Sequence, residues 1–272
     1  MKRLNPESTY YLDESLTMDD IREAYKYNES LTGRVTHIDT NNKTVLVSLN
    51  DKITAKMLWD DVTIKKLTPK YEETTQIPPQ ISSLYQKKIR VKVKGIMKNE
   101  IYVSRKANML EAWNILKKLP KEYVFKAAYT GADKNGTSIF YDIAEGLIAF
   151  CHVAQCTSVF VEDMDKWLTY GALHDVVLLD SCKDDNYLLY CSRKKACKTC
   201  MEDLSVNQIV NVKVAQKTKN MKGYHVEVTP LVAGIADLPY DKRNIEYGQI
   251  VQACVKKIKL NSSKKKITLE IL

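Results

Sequence analysis

Short runs of alternating apolar and polar residues recur along the chain and fall into three sets. Each set opens with a run that has the pattern of a strand with one buried face. These opening runs are LTGRVTHI (31–38), YVFKAAYT (123–130) and QIVNVKVA (208–215). A polar turn rich in Asn, Gly, Lys and Asp follows each of them, then a second alternating run, and the two together predict a β-hairpin. A third run comes next, so every set is predicted to begin with a three-stranded meander.

Two landmarks near the end of each set predict a closing hairpin. The first landmark is a tyrosine before an apolar run, at Tyr85, Tyr170 and Tyr247. The second is the last run of the set, at NEIYVSRKA (99–107), NYLLYCSRKKA (186–196) and KKKITLEIL (264–272). Five short strands closed as a Greek-key barrel form the OB-fold. We therefore predict a mainly β protein with three tandem five-stranded OB-fold barrels and short connecting helices.

Two further stretches have a helical pattern. In LTMDDIREAYKYNES (16–30), Thr17 precedes Asp20 as in a capping box, and KANMLEAWNILKKLPKEY (106–123) is amphipathic and stops at Pro120. We expect both helices to seal neighbouring barrels. The predicted organisation is a helical extension at 1–27, a first barrel at 28–107, a connecting helix at 108–122, a second barrel at 123–197 and a third barrel at 198–272.

The charge balance favours an anionic partner. The chain has 272 residues, with 42 Lys and Arg against 33 Asp and Glu, for a net charge of +9. The excess falls in clusters at 87–94, 192–198 and 264–272. Basic residues placed near phosphates release condensed counterions, which favours a nucleic-acid partner. The alternative interpretation is that these clusters are ordinary solvated surface.

Hydropathy gives an expectation for location. No apolar run approaches the roughly 20 residues needed to cross a bilayer. The first residues, MKRLNPESTYYLDES, lack the apolar core of a signal peptide. We therefore expect a cytoplasmic protein without a membrane partner.

The cysteines favour reduced thiols. Seven cysteines, an odd number, fit poorly with a disulfide framework. The one CxxC pair, Cys197 and Cys200, follows Cys191, and a zinc site would need Cys182 or a histidine as its fourth ligand. Because there is no second CxxC pair, no metal or other cofactor is expected. Metal binding by Cys191, Cys197 and Cys200 nevertheless stays open.

The stretch GTSIFYDIAEGLIAFCHVAQ (136–155) places aromatic residues where they face away from a barrel core. Phe140 falls on the second strand of its set, and Phe150 and His152 share one side of the third strand because they are two residues apart. Strands two, three and five of an OB barrel form a face that holds single-stranded nucleic acid by stacking bases on rings. These residues are therefore candidates for stacking. The alternative is the opposite parity, with Phe150 buried and Cys151 exposed.

The second set as a whole resembles a known family. Its sequence, GTSIFYDIAEGLIAFCHVAQCTS and then YGALHDVVLLDSCKDDNYLLYCSRKKA, is similar to the S-one domain, the OB-fold RNA-binding module repeated in the small-subunit ribosomal protein of that name. In that family strand two has phenylalanines, strand three a histidine and strand five an LSRK-like end, matched here by Phe140, His152 and Ser192-Arg193-Lys194. Arg193 and Lys194 are expected on strand five, where they would contact phosphate. The resemblance covers three copies from about residue 28 onward and implies RNA binding in translation, with the small ribosomal subunit as a further candidate partner.

The three sets match the family unequally. The second set has Thr137 in place of the first phenylalanine. The first set keeps the basic end but lacks the histidine, and Trp59 is its one aromatic candidate. The third offers Tyr224 and His225 but ends in LEI. We infer that the second barrel is the main RNA contact, the third auxiliary and the first a degenerate docking module. The candidate RNA-binding residues are Phe140, Phe150, His152, Arg193, Lys194, Trp59, Arg105, Lys106, Tyr224 and His225.

These features favour a non-catalytic, monomeric binder of single-stranded RNA such as mRNA. Two alternatives stay open: a protein-docking module on a ribosome or another RNA–protein assembly, and an accessory factor in RNA turnover. An enzyme is disfavoured because the three sets occupy nearly the whole chain. The sequence offers no carboxylate cluster suited to metal-dependent phosphoryl chemistry and no phosphate-binding glycine loop, and its four histidines are spread over different sets.

Overall fold

Three successive closed barrels of five strands each make up the protein. The computed structural model describes residues 4–65, 76–98, 100–179, 187–219, 222–239, 244–260 and 266–272. The prediction of a mainly β protein with three tandem five-stranded barrels is confirmed. None of the helices in the described part of the chain has the length and apolar character that crossing a bilayer requires.

The first barrel shows the topology most completely. Its strands are β1 (Ser30–Asp39), β2 (Thr44–Ser48), β3 (Thr54–Leu58), β4 (Lys88–Met97) and β5 (Glu100–Ser104). Around the barrel they run in the order β1-β2-β3-β5-β4. The β3–β5 pair is parallel, whereas β1–β2, β2–β3, β4–β5 and β1–β4 are antiparallel, and the pairing of β1 with β4 closes the barrel.

The second and third barrels repeat this neighbour order. The second has β6 (Val124–Ala132), β7 (Ser138–Ala144), β8 (Leu147–His152), β9 (Leu173–Leu178) and β10 (Leu189–Ser192). The third has β11 (Ile209–Lys217), β12 (Gly223–Thr229), β13 (Val232–Asp237), β14 (Ile250–Lys259) and β15 (Lys266–Ile271). In both, the second, third and fifth strands are neighbours and form one face.

Short helices flank the strands. They are α1 (Met18–Tyr27), α2 (Pro79–Ser82), α3 (Arg105–Leu116), α4 (Val153–Cys156), α5 (Met164–Trp167) and α6 (Arg193–Ala196). The capping box predicted for α1 is present: the Thr17 hydroxyl accepts the Asp20 amide at 3.3 Å, and the Asp20 carboxylate accepts the Thr17 amide at 2.7 Å. The helix α3 begins at Arg105, earlier than the predicted start at 108, directly after β5.

Alternation along the strands builds each core. In β2, Val45 and Val47 are buried and their neighbours are more exposed. Ile21 of α1 belongs to the same core cluster as the first barrel. The chain divides into two compact units; the β7–β8 turn belongs to the first, whereas most of the second barrel and all of the third belong to the second.

Met57→Ala tests this alternation. Met57 is fully buried in the first barrel, so its truncation is expected to lower the free energy of unfolding by about 2–5 kcal/mol, because the barrel cannot collapse onto the vacated volume. The next residue, Leu58, is 45% exposed, and Leu58→Ala is expected to cost less than about 1 kcal/mol. Urea unfolding followed by circular dichroism measures both. Equal losses would contradict the assignment of Met57 to the inside of the barrel.

Candidate nucleic-acid interface

Three aromatic rings lie side by side on the outer face of the second barrel. Phe140 is on β7, Phe150 on β8 and Tyr190 on β10, three strands that are neighbours in the barrel. The ring centroids of Phe140 and Phe150 are 5.4 Å apart with their planes at 90°, and those of Phe150 and Tyr190 are 6.1 Å apart at 42°. We call these three residues the aromatic row.

Strand alternation explains why the rings face outward. The residues that flank them along the strands are all buried: Ile139, Tyr141, Ala149, Cys151, Leu189 and Cys191. Phe140 and Phe150 are half-buried, and Tyr190 is 48% exposed. Phe140 and Phe150 therefore face outward, as predicted. The alternative, with Phe150 buried and Cys151 exposed, is wrong.

Tyr190 was missed by the sequence analysis. It lies two residues before Ser192, on the strand that the basic motif Ser192-Arg193-Lys194 follows. The available signal was parity: Cys191 and Leu189 are apolar, so the residue between them on an alternating strand faces outward. The structure shows in addition that β10 lies beside β8, which brings Tyr190 next to Phe150.

His152 lies at the exposed end of β8. Its Nδ1 accepts the backbone amide of Ala154 at 3.1 Å and so caps α4. This local bond fixes the orientation of the imidazole, so His152 has a structural role besides its predicted role in RNA binding.

The equivalent row of the first barrel contains one aromatic ring. Strand register aligns Leu46 with Lys56, and Lys56 with Tyr102. The Lys56 ammonium lies 2.5 Å from Glu100 Oε1, and the Tyr102 hydroxyl donates to Glu100 Oε2 at 2.7 Å. The charge and hydroxyl of this row are therefore already engaged with a carboxylate.

The equivalent row of the third barrel has no phenylalanine, tyrosine or tryptophan. Register aligns His225 with Ile235, and Ile235 with Thr268. All three are partly exposed. A base could stack on the imidazole of His225, but no continuous aromatic surface extends across the three strands.

Two predicted contacts are wrong because their side chains are in the barrel cores. Trp59 is 4% exposed and belongs to the core of the first barrel. Tyr224 is 2% exposed in the core of the third barrel, where its hydroxyl accepts the amide of Ile245 at 3.4 Å. Tyr224 precedes the outward-facing His225 and therefore faces inward. Neither ring presents a face to a base.

The two Ser-Arg-Lys motifs start helices, so the prediction that Arg193 and Lys194 continue strand five is wrong. Ser104 caps α3 and Ser192 caps α6, each hydroxyl accepting a backbone amide three residues further on at 3.0 Å. Serine is a preferred N-cap because its side chain satisfies an amide that the helix leaves unpaired. The arginine that follows therefore leaves the direction of the strand.

Both arginines bind carboxylates. In the first unit the Arg105 guanidinium is buried and donates to Glu7 from Nε at 2.8 Å and from Nη2 at 2.7 Å. In the second unit Arg193 Nη1 donates to Glu227 Oε1 at 3.1 Å, and Glu227 is buried. The Thr157 hydroxyl also donates to Glu227. The prediction that Arg105 is available for phosphate is wrong, and the charge of Arg193 is largely compensated.

An acidic residue on a second strand lies near each of these arginines. Asp142 is the fifth residue of β7, and Glu227 is the fifth residue of β12. Asp142 interacts electrostatically with Arg105, as Glu227 does with Arg193. In both units, the arginine after a barrel's fifth strand thus interacts electrostatically with an acidic residue at the fifth position of the following barrel's second strand.

Two basic candidates have no such partner. Lys106 and Lys194 follow the two arginines and are partly exposed. Neither makes a hydrogen bond or ion pair within the described residues, so these two side chains keep the predicted ability to contact phosphate.

The cysteines form no metal site in the part of the chain that the structure describes. There, no group of three or more His, Cys, Asp or Glu residues could hold a metal ion. Cys191 is buried, Cys197 and Cys200 are partly exposed, and the Cys200 thiol donates to Asp203 at 3.0 Å. Cys182 lies outside the described residues.

Glu227→Ala tests the ion pair of the second unit. The change leaves Arg193, whose side chain is 17% exposed, without its counterion, and is expected to lower the free energy of unfolding by about 3 kcal/mol. The matched control is Glu270→Ala in the same barrel, which breaks an exposed pair with Lys256 and is expected to leave stability nearly unchanged because water screens such pairs. Thermal and urea unfolding measure both variants. Equal effects would contradict a stabilising role for the buried pair.

Asp142→Asn tests the carboxylate of the first unit through pH. Burial and the nearby Glu7 carboxylate raise the pKa of Asp142 to about 7, against about 3.9 in an unfolded chain. The folded state therefore binds more protons between these values, and stability from this group falls as pH rises through about 4 to 7.

The asparagine variant has no proton to release at this position. The slope of its unfolding free energy against pH is therefore expected to be shallower over that range, by an amount that corresponds to up to about one proton. Urea unfolding at half-unit pH intervals measures the slope. Parallel profiles for the variant and the parent would contradict the raised pKa.

Comparisons with known proteins show no family. No protein-family model matches the chain, and no curated protein matches its sequence. A solved structure of a multidomain protein with nucleic acid binding domains from Streptococcus pneumoniae is similar at 13% sequence identity and a TM-score of 0.30, over 90% of this chain and 73% of that chain. A likeness at this TM-score supports no conclusion about the activity of the present chain.

Proposed function

We propose that the chain is a non-catalytic binder of single-stranded RNA and that the aromatic row of the second barrel is its main contact. The support is the row itself: three rings on three adjacent strands, with centroid spacings of 5.4 and 6.1 Å. Each base stacked on an aromatic side chain contributes roughly 1–3 kcal/mol, with little dependence on sequence. Unpaired bases are needed because a duplex hides their faces.

Charge and resemblance add to this proposal. The net charge of +9 favours a polyanion, and the partly exposed Lys194 follows Tyr190 by four residues along the chain. The resemblance to the S-one domain implies mRNA and a role in translation, with the small ribosomal subunit as a further partner. We expect a monomer in the cytoplasm. An accessory factor in RNA turnover would use the same row, because the row recognises unpaired bases in any process.

The first barrel favours a second function, protein docking. In its row, Lys56 and Tyr102 are both engaged with Glu100, and its basic motif is occupied by the Glu7 pair. We propose that this barrel contacts a protein of an RNA–protein assembly, whereas the third barrel, with His225 on its row, has an auxiliary role in RNA binding. Sites joined on one chain gain affinity by raising each other's effective concentration.

Phe150→Ala tests the main contact. It removes the central ring of the row and is expected to weaken binding of a labelled unstructured RNA oligonucleotide by roughly 1–3 kcal/mol, with little change in salt dependence. Tyr102→Ala, at the equivalent position in the first barrel, is the matched control and is expected to have little effect. Lys194→Ala is expected to reduce the slope of log affinity against log salt by about one.

Fluorescence anisotropy at several salt concentrations measures all three variants, with circular dichroism to check folding. The proposal is overturned if Phe150→Ala is folded and binds as well as the parent protein. It is also overturned if duplex RNA binds as tightly as the single strand, because stacking on the row requires unpaired bases.

A further inference from the structure

A short segment near the start of the chain, residues 5–11, lies on the outside of the first barrel. Apart from the three-residue 3₁₀ helix Glu7–Thr9, it has no regular secondary structure. None of its residues belongs to the apolar core cluster of that barrel, whose described members begin at Leu16. The core is therefore complete without this segment, which packs on a finished surface as a bound peptide does. We call residues 5–11 the N-terminal strap.

Two outward-facing cations of β4 hold the strap. Lys88 and Arg90 flank the buried Ile89 and therefore point away from the core. The Lys88 ammonium donates to two strap carbonyls, that of Ser8 at 3.3 Å and that of Tyr10 at 2.7 Å. The Arg90 guanidinium lies 4.2 Å from the centre of the Tyr10 ring, which is a cation–π contact. Strand β4 thus contacts both the backbone of the strap and one of its aromatic side chains.

A buried arginine binds the carboxylate of the strap. Arg105 donates to Glu7 from Nε at 2.8 Å and from Nη2 at 2.7 Å, a bidentate geometry that makes the pairing strong and directional. The third nitrogen, Nη1, donates to the carbonyl of Val62 at 3.2 Å. Because Val62 belongs to the core of the first barrel, the barrel orients this guanidinium without the strap. Glu7 therefore enters a preformed carboxylate site.

The β7–β8 turn, which belongs to the same compact unit, completes the site. Asp142 accepts the backbone amide of Glu7 at 2.7 Å, and Glu145 accepts the Tyr10 hydroxyl at 2.6 Å. A Cβ at Gly146 would lie within 2.7 Å of the Glu7 carboxylate, and this glycine has a φ of +82°, so only glycine leaves room for the carboxylate in this turn. The turn and the barrel thus contact the same two side chains of the strap, Glu7 and Tyr10.

An exposed link joins the strap to the rest of the chain. Tyr11 is 85% exposed, and residues 13–15 are exposed as well. The chain enters the core of the barrel only at Leu16. The strap is therefore a tethered ligand, and such a ligand excludes a free one because the tether gives it a high effective concentration.

We propose that this surface is a protein-docking site, that the strap occupies it in the free chain, and that a partner protein docks by offering an acidic peptide of the same chemistry. That peptide has a glutamate followed three residues later by a tyrosine. The glutamate binds Arg105 and the tyrosine stacks on Arg90. The proposal rests on the docking function proposed for the first barrel and gives it a surface and a partner chemistry.

A cut in the exposed link tests the proposal. A protease recognition site inserted between Leu12 and Asp13 of the full chain allows the strap to be severed after the protein has folded. A labelled peptide of residues 1–12 is then added in excess, and fluorescence anisotropy measures its binding. The cut chain is expected to bind the peptide in exchange for its own strap, and the uncut chain to bind it at least roughly tenfold more weakly, because the tethered strap competes.

Substitutions in the peptide identify the recognised groups and leave the protein unchanged. Glu7→Gln is expected to weaken binding to the cut chain roughly tenfold or more, because a neutral amide does not form the charge-assisted pair with Arg105. Tyr10→Ala is expected to weaken binding roughly fivefold through loss of the cation–π contact. Ser8→Ala is the matched control: the Ser8 side chain is exposed and its carbonyl is retained, so this peptide is expected to bind like the parent peptide.

Three results overturn the proposal: no peptide binding by a cut chain that circular dichroism shows to be folded, equal binding by cut and uncut chains, or a Glu7→Gln peptide that binds as tightly as the parent peptide. Dimers of the uncut chain in light scattering that are lost on cutting would assign the surface to a second copy and also overturn it. Failure of this surface leaves docking to the row of Lys56 and Tyr102, so it is distinguishable from failure of the docking function itself.

Discussion

Closure of each barrel is the constraint on which the rest of the structure depends. A closed five-stranded sheet has an inside and an outside, so each strand must alternate between core and surface. In the second barrel this rule buries Ala149 and Cys151 and turns Phe150 outward between them. Closure also sets which strands are neighbours, and the order β10-β8-β7 brings Phe150 into contact with Phe140 on one side and Tyr190 on the other.

The Ser-Arg-Lys motif has a structural role that its positive charge does not predict. The serine ends a strand by capping a helix, and the arginine then binds a carboxylate: Arg105 with Glu7 and Arg193 with Glu227. Removing two charges from water is costly, and mutual attraction with good hydrogen bonds offsets that cost. A basic residue near a candidate RNA surface is therefore available for phosphate only if no carboxylate of the protein already neutralises it, as is true here of Lys194.

The barrels share one topology and differ in their outer surfaces. At equivalent positions, the second barrel has a row of three aromatic rings. The first barrel has a lysine and a tyrosine that both bind Glu100, and the third barrel has His225. Substitutions at such outward positions leave the core unchanged, which lets repeats of one fold take on separate tasks.

The sequence by itself determined the three barrels, the capping box at Thr17 and the outward direction of Phe140 and Phe150, because alternation and capping depend on residues close in the chain. Tertiary structure decided which charges are free and which rings meet. It paired Arg193 with Glu227 and placed Tyr190 beside Phe150. These contacts join residues distant along the chain, and a local pattern of apolar and polar positions does not record which distant segments become neighbours when a sheet closes.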